Sequence, residues 1–215
     1  MLQAAINSRA AWRLRGNQWQ WPWLKSIVLI SILAPAVHAA NKPDSGAFQG
    51  CRETGSGKDI SINILKNRSK PVDKPTQMTV NAIIGQAKAS GTLRRQQGVA
   101  VEGYLIAIRL ADPDPANCND SSLRNYWGWL ATNKSDGRSQ GIVVVITPRW
   151  QAANPKWSLA NLQRLAAYGV KFRLTGWLLL DNAHQQDVGK DRATAWAIHP
   201  VTKIEILSNN LWSEQ

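Results

Sequence analysis

Aromatic residues other than tryptophan are scarce in this chain, which has two Phe and three Tyr against eleven Trp in 215 residues. Cysteine is limited to Cys51 and Cys118, with no CxxC pair and no Cys/His ligand spacing, so a zinc ribbon or zinc finger is excluded. Acidic residues are also in short supply, 14 against 26 Lys and Arg, for a net charge of +12. No apolar run approaches the roughly 18 residues of a membrane-crossing helix, which excludes a multi-span membrane protein. Nucleophile signatures of the G-x-S-x-G, S-x-x-K and H-E-x-x-H kinds are missing, and no feature points to a cofactor. Gly55-Ser56-Gly57-Lys58 is not a phosphate loop, because no apolar strand precedes it.

What is present suits one soluble domain, since 44% hydrophobic and 19% charged residues can bury a core. Residues 1–39 carry four cations, no acid and the apolar run Ser26 to Val37 ahead of Ala39 and Ala40. That order reads as a signal peptide, with an uncleaved anchor flanked by Trp12, Trp19, Trp21 and Trp23 as the alternative. The chain is therefore expected to be exported, periplasmic or secreted, and to meet the membrane only through this segment before cleavage. In an oxidising compartment Cys51 and Cys118 are most simply one disulfide; two free thiols are the alternative.

Residues 40–97 read as a basic, weakly structured lead-in. Residues 40–98 hold ten Lys and Arg against four Asp and Glu, whereas residues 99–215 hold twelve against ten. Ile60, Ile62 and Ile64 hint at a strand, and Val80, Ile83, Ile84 and Ala87 place an amphipathic stripe on a short helix over 76–90. From Gly98 the period changes to two. Strands are expected at 98–110, 123–132, 142–146, 170–180 and 196–206, with a helix from the Ser158 cap to Gly169. The third strand is apolar on both sides and so should be covered on both faces.

The order strand, strand, strand, helix, strand, strand over residues 98–207, with a long first strand, resembles the OB-fold. The expected fold is thus mainly β: a five-stranded OB-like Greek-key barrel over 98–215 with one helix between its third and fourth strands, preceded by a short helix and a flexible basic segment. The segments Gly103-Tyr104-Leu105, Ile146-Thr147-Pro148-Arg149, Leu174-Thr175-Gly176-Trp177-Leu178 and Trp196-Ala197-Ile198-His199-Pro200-Val201-Thr202 also look like a group of small exported bacterial proteins without an assigned activity. The OB resemblance implies a location for a ligand, over the second and third strands and between loops 111–122 and 181–194. It implies no catalytic residue.

Tyr126, Trp127 and Trp129 on the second strand offer aromatic faces on which bases or sugar rings stack, unless they simply fill the barrel. Arg149, Lys171, Arg173 and Arg192, with Trp177, could line a groove that neutralises phosphates; scattered solvated cations are the plainer reading. Asp181, His184 and Asp187, with His199 nearby, form a weak metal or acid/base pattern. The function expected from these features is non-catalytic binding of an anionic polymer such as single-stranded nucleic acid. The alternatives are a structural or protein–protein adaptor of the cell envelope and a metal-assisted hydrolase.

Overall fold

A computed structural model describes residues 46–89 and 93–215; the expected leader lies outside the described residues. In chain order the elements are α1 (Ile60–Lys66), β1 (Thr76–Thr79), α2 (Val80–Lys88), β2 (Gly98–Leu110), β3 (Tyr126–Ala131), β4 (Ile142–Ile146), α3 (Pro148–Ala153), α4 (Leu159–Ala167), β5 (Lys171–Leu180), β6 (Trp196–Ser208) and β7 (Leu211–Glu214). Short 3₁₀ turns connect several of them.

Five of the strands close into a barrel. The 13 residues of β2 are long enough to pair antiparallel with β5 along Gly98–Tyr104 and with β3 along Tyr104–Leu110. β3 runs antiparallel to β4, β4 parallel to β6, and β6 antiparallel to β5, which returns to β2. This order, with α4 between the third and fourth barrel strands, is that of an OB-like barrel, and closure leaves it without a free edge. Gly103 sits where β2 passes from one partner to the other, and a Cβ there would lie 2.5 Å from the Ala131 carbonyl oxygen. The His199–Pro200 peptide is cis.

Alternation along the strands divides the side chains into two sets. Val99, Val101, Leu105, Leu130, Val144, Phe172 and Ile198 point inward into the main core, which Leu162 and Leu165 of α4 join. Each such aliphatic side chain stabilises the fold by roughly 1.5–3 kcal/mol through burial. The opposite parity carries Trp129, Val143, Val145 and Ala197, a second buried cluster on the outer face, against which Ile106, Ala107 and Trp127 pack. All five residues of β4 are buried, as its two-sided apolar sequence requires.

The structure departs from the sequence reading chiefly before and after the barrel. Residues 60–66 are helical, not extended. Asn63 anchors that helix by donating its amide to the carbonyls of Thr54 and Ser56, and Asn67 donates to those of Glu53 and Ala116. Ile60 and Ile64 remain 51% and 41% exposed, so the alternating isoleucines mark no buried strand face. Over 76–90 the first four residues form β1, parallel to β2, and Thr79 then caps α2 by accepting from the Ala82 N–H at 3.1 Å. Asn209 and Asn210, both left-handed (φ 50° and 61°), turn β6 back into β7, a pairing absent from the sequence reading.

Candidate functional site

The loop after β2 begins Asp112-Pro113-Asp114-Pro115, in which proline stops the strand. Asp114 caps the following 3₁₀ turn by accepting from the Ala116 N–H at 2.8 Å, and it pairs with Lys66 of α1 at 3.0 Å. Cys118, left-handed at φ 60°, is disulfide-bonded to Cys51 with Cα atoms 5.8 Å apart. α1 and the segment before it are thereby fixed to the loop between the first two barrel strands.

The loop between β5 and β6 is built around Arg192. Its side chain is buried and donates to the carbonyls of Thr194 and Ala195 and, at 2.8 Å, to Asp181. His184 Nδ1 lies 2.9 Å from the same carboxylate oxygen. Burial alone would raise the Asp181 carboxyl, but His184 and Arg192 together hold it below its ordinary value. Burial works on Asp114 in the same way and is outweighed by the Lys66 ammonium and the Ala116 N–H.

Between these two loops and α1 lies a cleft of about 740 Å³. Trp127 forms part of its wall and meets His184 edge-on, with ring centroids 4.9 Å apart. The cleft sits where the OB resemblance places a ligand. Its lining carries six aspartates (Asp59, Asp112, Asp114, Asp181, Asp187 and Asp191) against the four basic side chains Lys58, Lys66, Arg95 and Arg109.

Of the side chains singled out from the sequence, only Trp127, Asp181, His184 and Asp187 line this cleft. Tyr126 packs against the main core. Trp129 is 1% exposed; its indole N–H donates to the Asp191 carbonyl, and Arg138 and Arg109 lie over its ring at 4.9 and 5.8 Å. Arg149 donates to the carbonyls of Cys51 and Gly46 and lies over Phe48. Lys171 and Arg173 clamp Glu102 at 3.0 and 2.9 Å, and Arg173 also lies 4.0 Å from the Trp212 ring centroid. Trp177 donates to the Lys70 carbonyl beneath Arg68. The cations and aromatics expected to share one groove are therefore spread over separate places, each with partners within the chain.

Asp181 is taken up by Arg192 and His184, and among the described residues no group of three or more His, Cys, Asp or Glu is placed to hold a metal ion. The sequence reading missed Lys66, Arg109 and Asn125 as lining residues, because α1 and the ends of β2 and β3 meet at the cleft only in three dimensions. Asp114 is both a turn residue and part of the wall.

No family model, no curated protein and no solved structure matches this chain. Strand order alone defines its class, an OB-like closed barrel extended by two further strands.

Proposed function

We propose that this chain is an exported, non-catalytic binding protein whose ligand seat is the cleft between loop 111–125 and loop 181–195. The observation that carries this reading is the coincidence of a 740 Å³ concavity with the place where OB barrels receive ligands, walled by an indole that is not enclosed in the core. The disulfide is compatible with an oxidising compartment and so with export.

A polyanion such as single-stranded nucleic acid is the ligand suggested by the overall charge. The six aspartates of the cleft lining are offset by its four cations and, for Asp181 and Asp191, by Arg192 and Arg138, so the lining carries no excess positive charge for a polyanion. The excess positive charge of Arg68, Lys70, Lys74, Arg94 and Arg95 favours placing a polyanion on the segment before the barrel instead. Titration of tryptophan emission with an oligothymidylate at low and then moderate salt tests both readings. Quenching that weakens with salt and survives Trp127→Ala supports the basic segment; quenching lost in Trp127→Ala supports the cleft. A flat response to the oligonucleotide removes the nucleic-acid reading, and a flat response to saccharides and peptides as well removes the cleft reading.

A further inference from the structure

The cations of the barrel and those of the segment before it are held differently. In the barrel, Lys171 and Arg173 pair with Glu102, Arg192 with Asp181, Arg138 with Asp191 and Lys203 with Glu205. Residues 58–98 hold eight Lys and Arg against two Asp. Lys66 pairs with Asp114, and Lys70 comes only within 4.0 Å of Asp73, with both side chains largely in solvent. A pair as exposed as the second contributes about 0–1 kcal/mol. Lys58, Lys74, Lys88, Arg94 and Arg95 are exposed and make no ion pair among the described residues. Most of the positive charge of this segment is thus left unneutralised within the chain.

Contacts gather most of these cations on one surface. The chain from α1 to β1 runs over the start of the β2–β5 pair: the Trp177 N–H donates to the Lys70 carbonyl, Arg68 lies over the Trp177 ring at 4.9 Å, and Val72 fills the space that a Cβ on Gly98 would take. The turn Arg94–Gln97 runs beside it, because Gln96 and Gln97 exchange backbone bonds with Leu178 and the Gln97 amide reaches the Thr76 hydroxyl. α1 leads into this surface. Its Ile60 and Ile64, one turn apart, are 51% and 41% exposed, and Arg68 follows at the same spacing.

Exposed isoleucines beside unneutralised cations match the chemistry of a bilayer surface. Aliphatic side chains enter the boundary between headgroups and acyl chains, while Lys and Arg meet the phosphates. A single-stranded nucleic acid calls instead for flat rings on which bases stack, and residues 49–103 contain no Phe, Tyr or Trp. Trp177, which borders the surface, is covered by Arg68 and bonded to the Lys70 carbonyl. We propose that α1, the basic segment after it and the Arg94–Arg95 turn form a docking surface for a bilayer bearing anionic phospholipids. This docking rests on the charge of the segment before the barrel and not on the cleft, and it is additional to any membrane contact of the leader.

The test is amide hydrogen exchange of the full chain, read by mass spectrometry on vesicles of phosphatidylcholine alone and of phosphatidylcholine mixed with phosphatidylglycerol, at low and moderate salt. A local readout separates the folded surface from the leader, which is common to every protein compared. Expected is slower exchange over residues 58–74 on the phosphatidylglycerol vesicles only, weakening as salt rises. The double variant Lys70→Gln, Lys74→Gln should lose that protection, at about fivefold weaker docking per cation and roughly 25-fold for the pair. The double variant Ile60→Ser, Ile64→Ser should lose it as well, and Trp127→Ala should keep it. All four changed lysines and isoleucines are exposed, so exchange in β4 should match the wild type in both double variants. Equal protection on the two lipids, no protection on either, or protection unchanged in either double variant would overturn the proposal. Protection by oligothymidylate or duplex DNA and not by vesicles would assign the patch to nucleic acid and overturn it too. Protection lost in Trp127→Ala would move the contact to the cleft. The cleft reading stands or falls separately, on the oligonucleotide, saccharide and peptide titrations.

Discussion

Arg192 and Asp181 form an ion pair at 2.8 Å in which the guanidinium is almost fully enclosed, its side chain 2% exposed. The pair is the internal frame of the loop that forms one side of the cleft, because Arg192 also takes up the carbonyls of Thr194 and Ala195. Arg192→Ala leaves Asp181 with His184 as its remaining side-chain partner and removes a donor from the carbonyls of Thr194 and Ala195, of which Ala195 keeps the Asp181 N–H. A loss of about 3–5 kcal/mol in denaturant unfolding is expected. A loss under 1 kcal/mol would show that water replaces the guanidinium and that the loop does not depend on it.

Acid sensitivity should have two origins. His199 has a folded pKa near 3 against about 6.5 unfolded, so between those values the unfolded chain binds more protons. Its contribution is complete above about pH 6.5 and declines as pH falls toward 3, with a limiting slope of about 1.4 kcal/mol per pH unit. Asp114 and Asp181, held below their ordinary values, contribute stability above about pH 4 that is lost as pH falls through their folded values. Urea midpoints for the wild type and His199→Gln over pH 3–8 check this: the variant should lose the decline between pH 6.5 and 4 and keep the one below it. Parallel curves would place the titrating group elsewhere.

Trp129 and Trp127, two residues apart on the same face, should separate stability from binding. Trp129→Ala removes an enclosed ring and its bond to Asp191, an expected loss of about 3–5 kcal/mol. Trp127→Ala should cost less in a chemical denaturation curve and abolish the response of tryptophan emission to ligand. Equal stability losses would mean that both rings are scaffold.

Reduction of Cys51–Cys118, or the Cys51→Ser, Cys118→Ser double variant, opens a loop of 67 residues. In the chain-entropy account this costs about 3–5 kcal/mol. Far-UV circular dichroism during thermal unfolding, with and without reductant, reads the change; an unmoved midpoint would leave the bond with no thermodynamic role.

The barrel was legible because its strands are uninterrupted alternating or two-sided apolar runs, and the bounds of β2 and β4 coincide with the expected ones. α1 was not legible, because it is held by Asn63, Asn67, Lys66 and a disulfide rather than by an apolar stripe, and polar anchoring leaves no periodic trace. The tryptophans were ambiguous for a physical reason. Trp129, Trp150, Trp157 and Trp177 each donate the indole N–H to a distant backbone carbonyl, of Asp191, Arg68, Gln215 and Lys70. Their abundance over Phe and Tyr thus reflects a body that packs and an edge that pins loops, a role sequence spacing does not distinguish from ligand stacking. Strand parity likewise says which side chains share a face, as Lys171 and Arg173 do, and not whether acids such as Glu102 already neutralise them.

The covalent tie between Cys51 and the loop beyond β2 also bears on what counts as the smallest working piece of this molecule. Gly98 looks like a natural start for the barrel, and a chain beginning there would keep every barrel strand but lose Met78, Val80, Ile83 and Leu93 from the main core. It would lack Lys58, Asp59 and Lys66, and with them one bank of the cleft. The barrel strands supply one side of the cleft and a stretch that precedes them supplies the other, so the barrel and the cleft have different N-terminal boundaries.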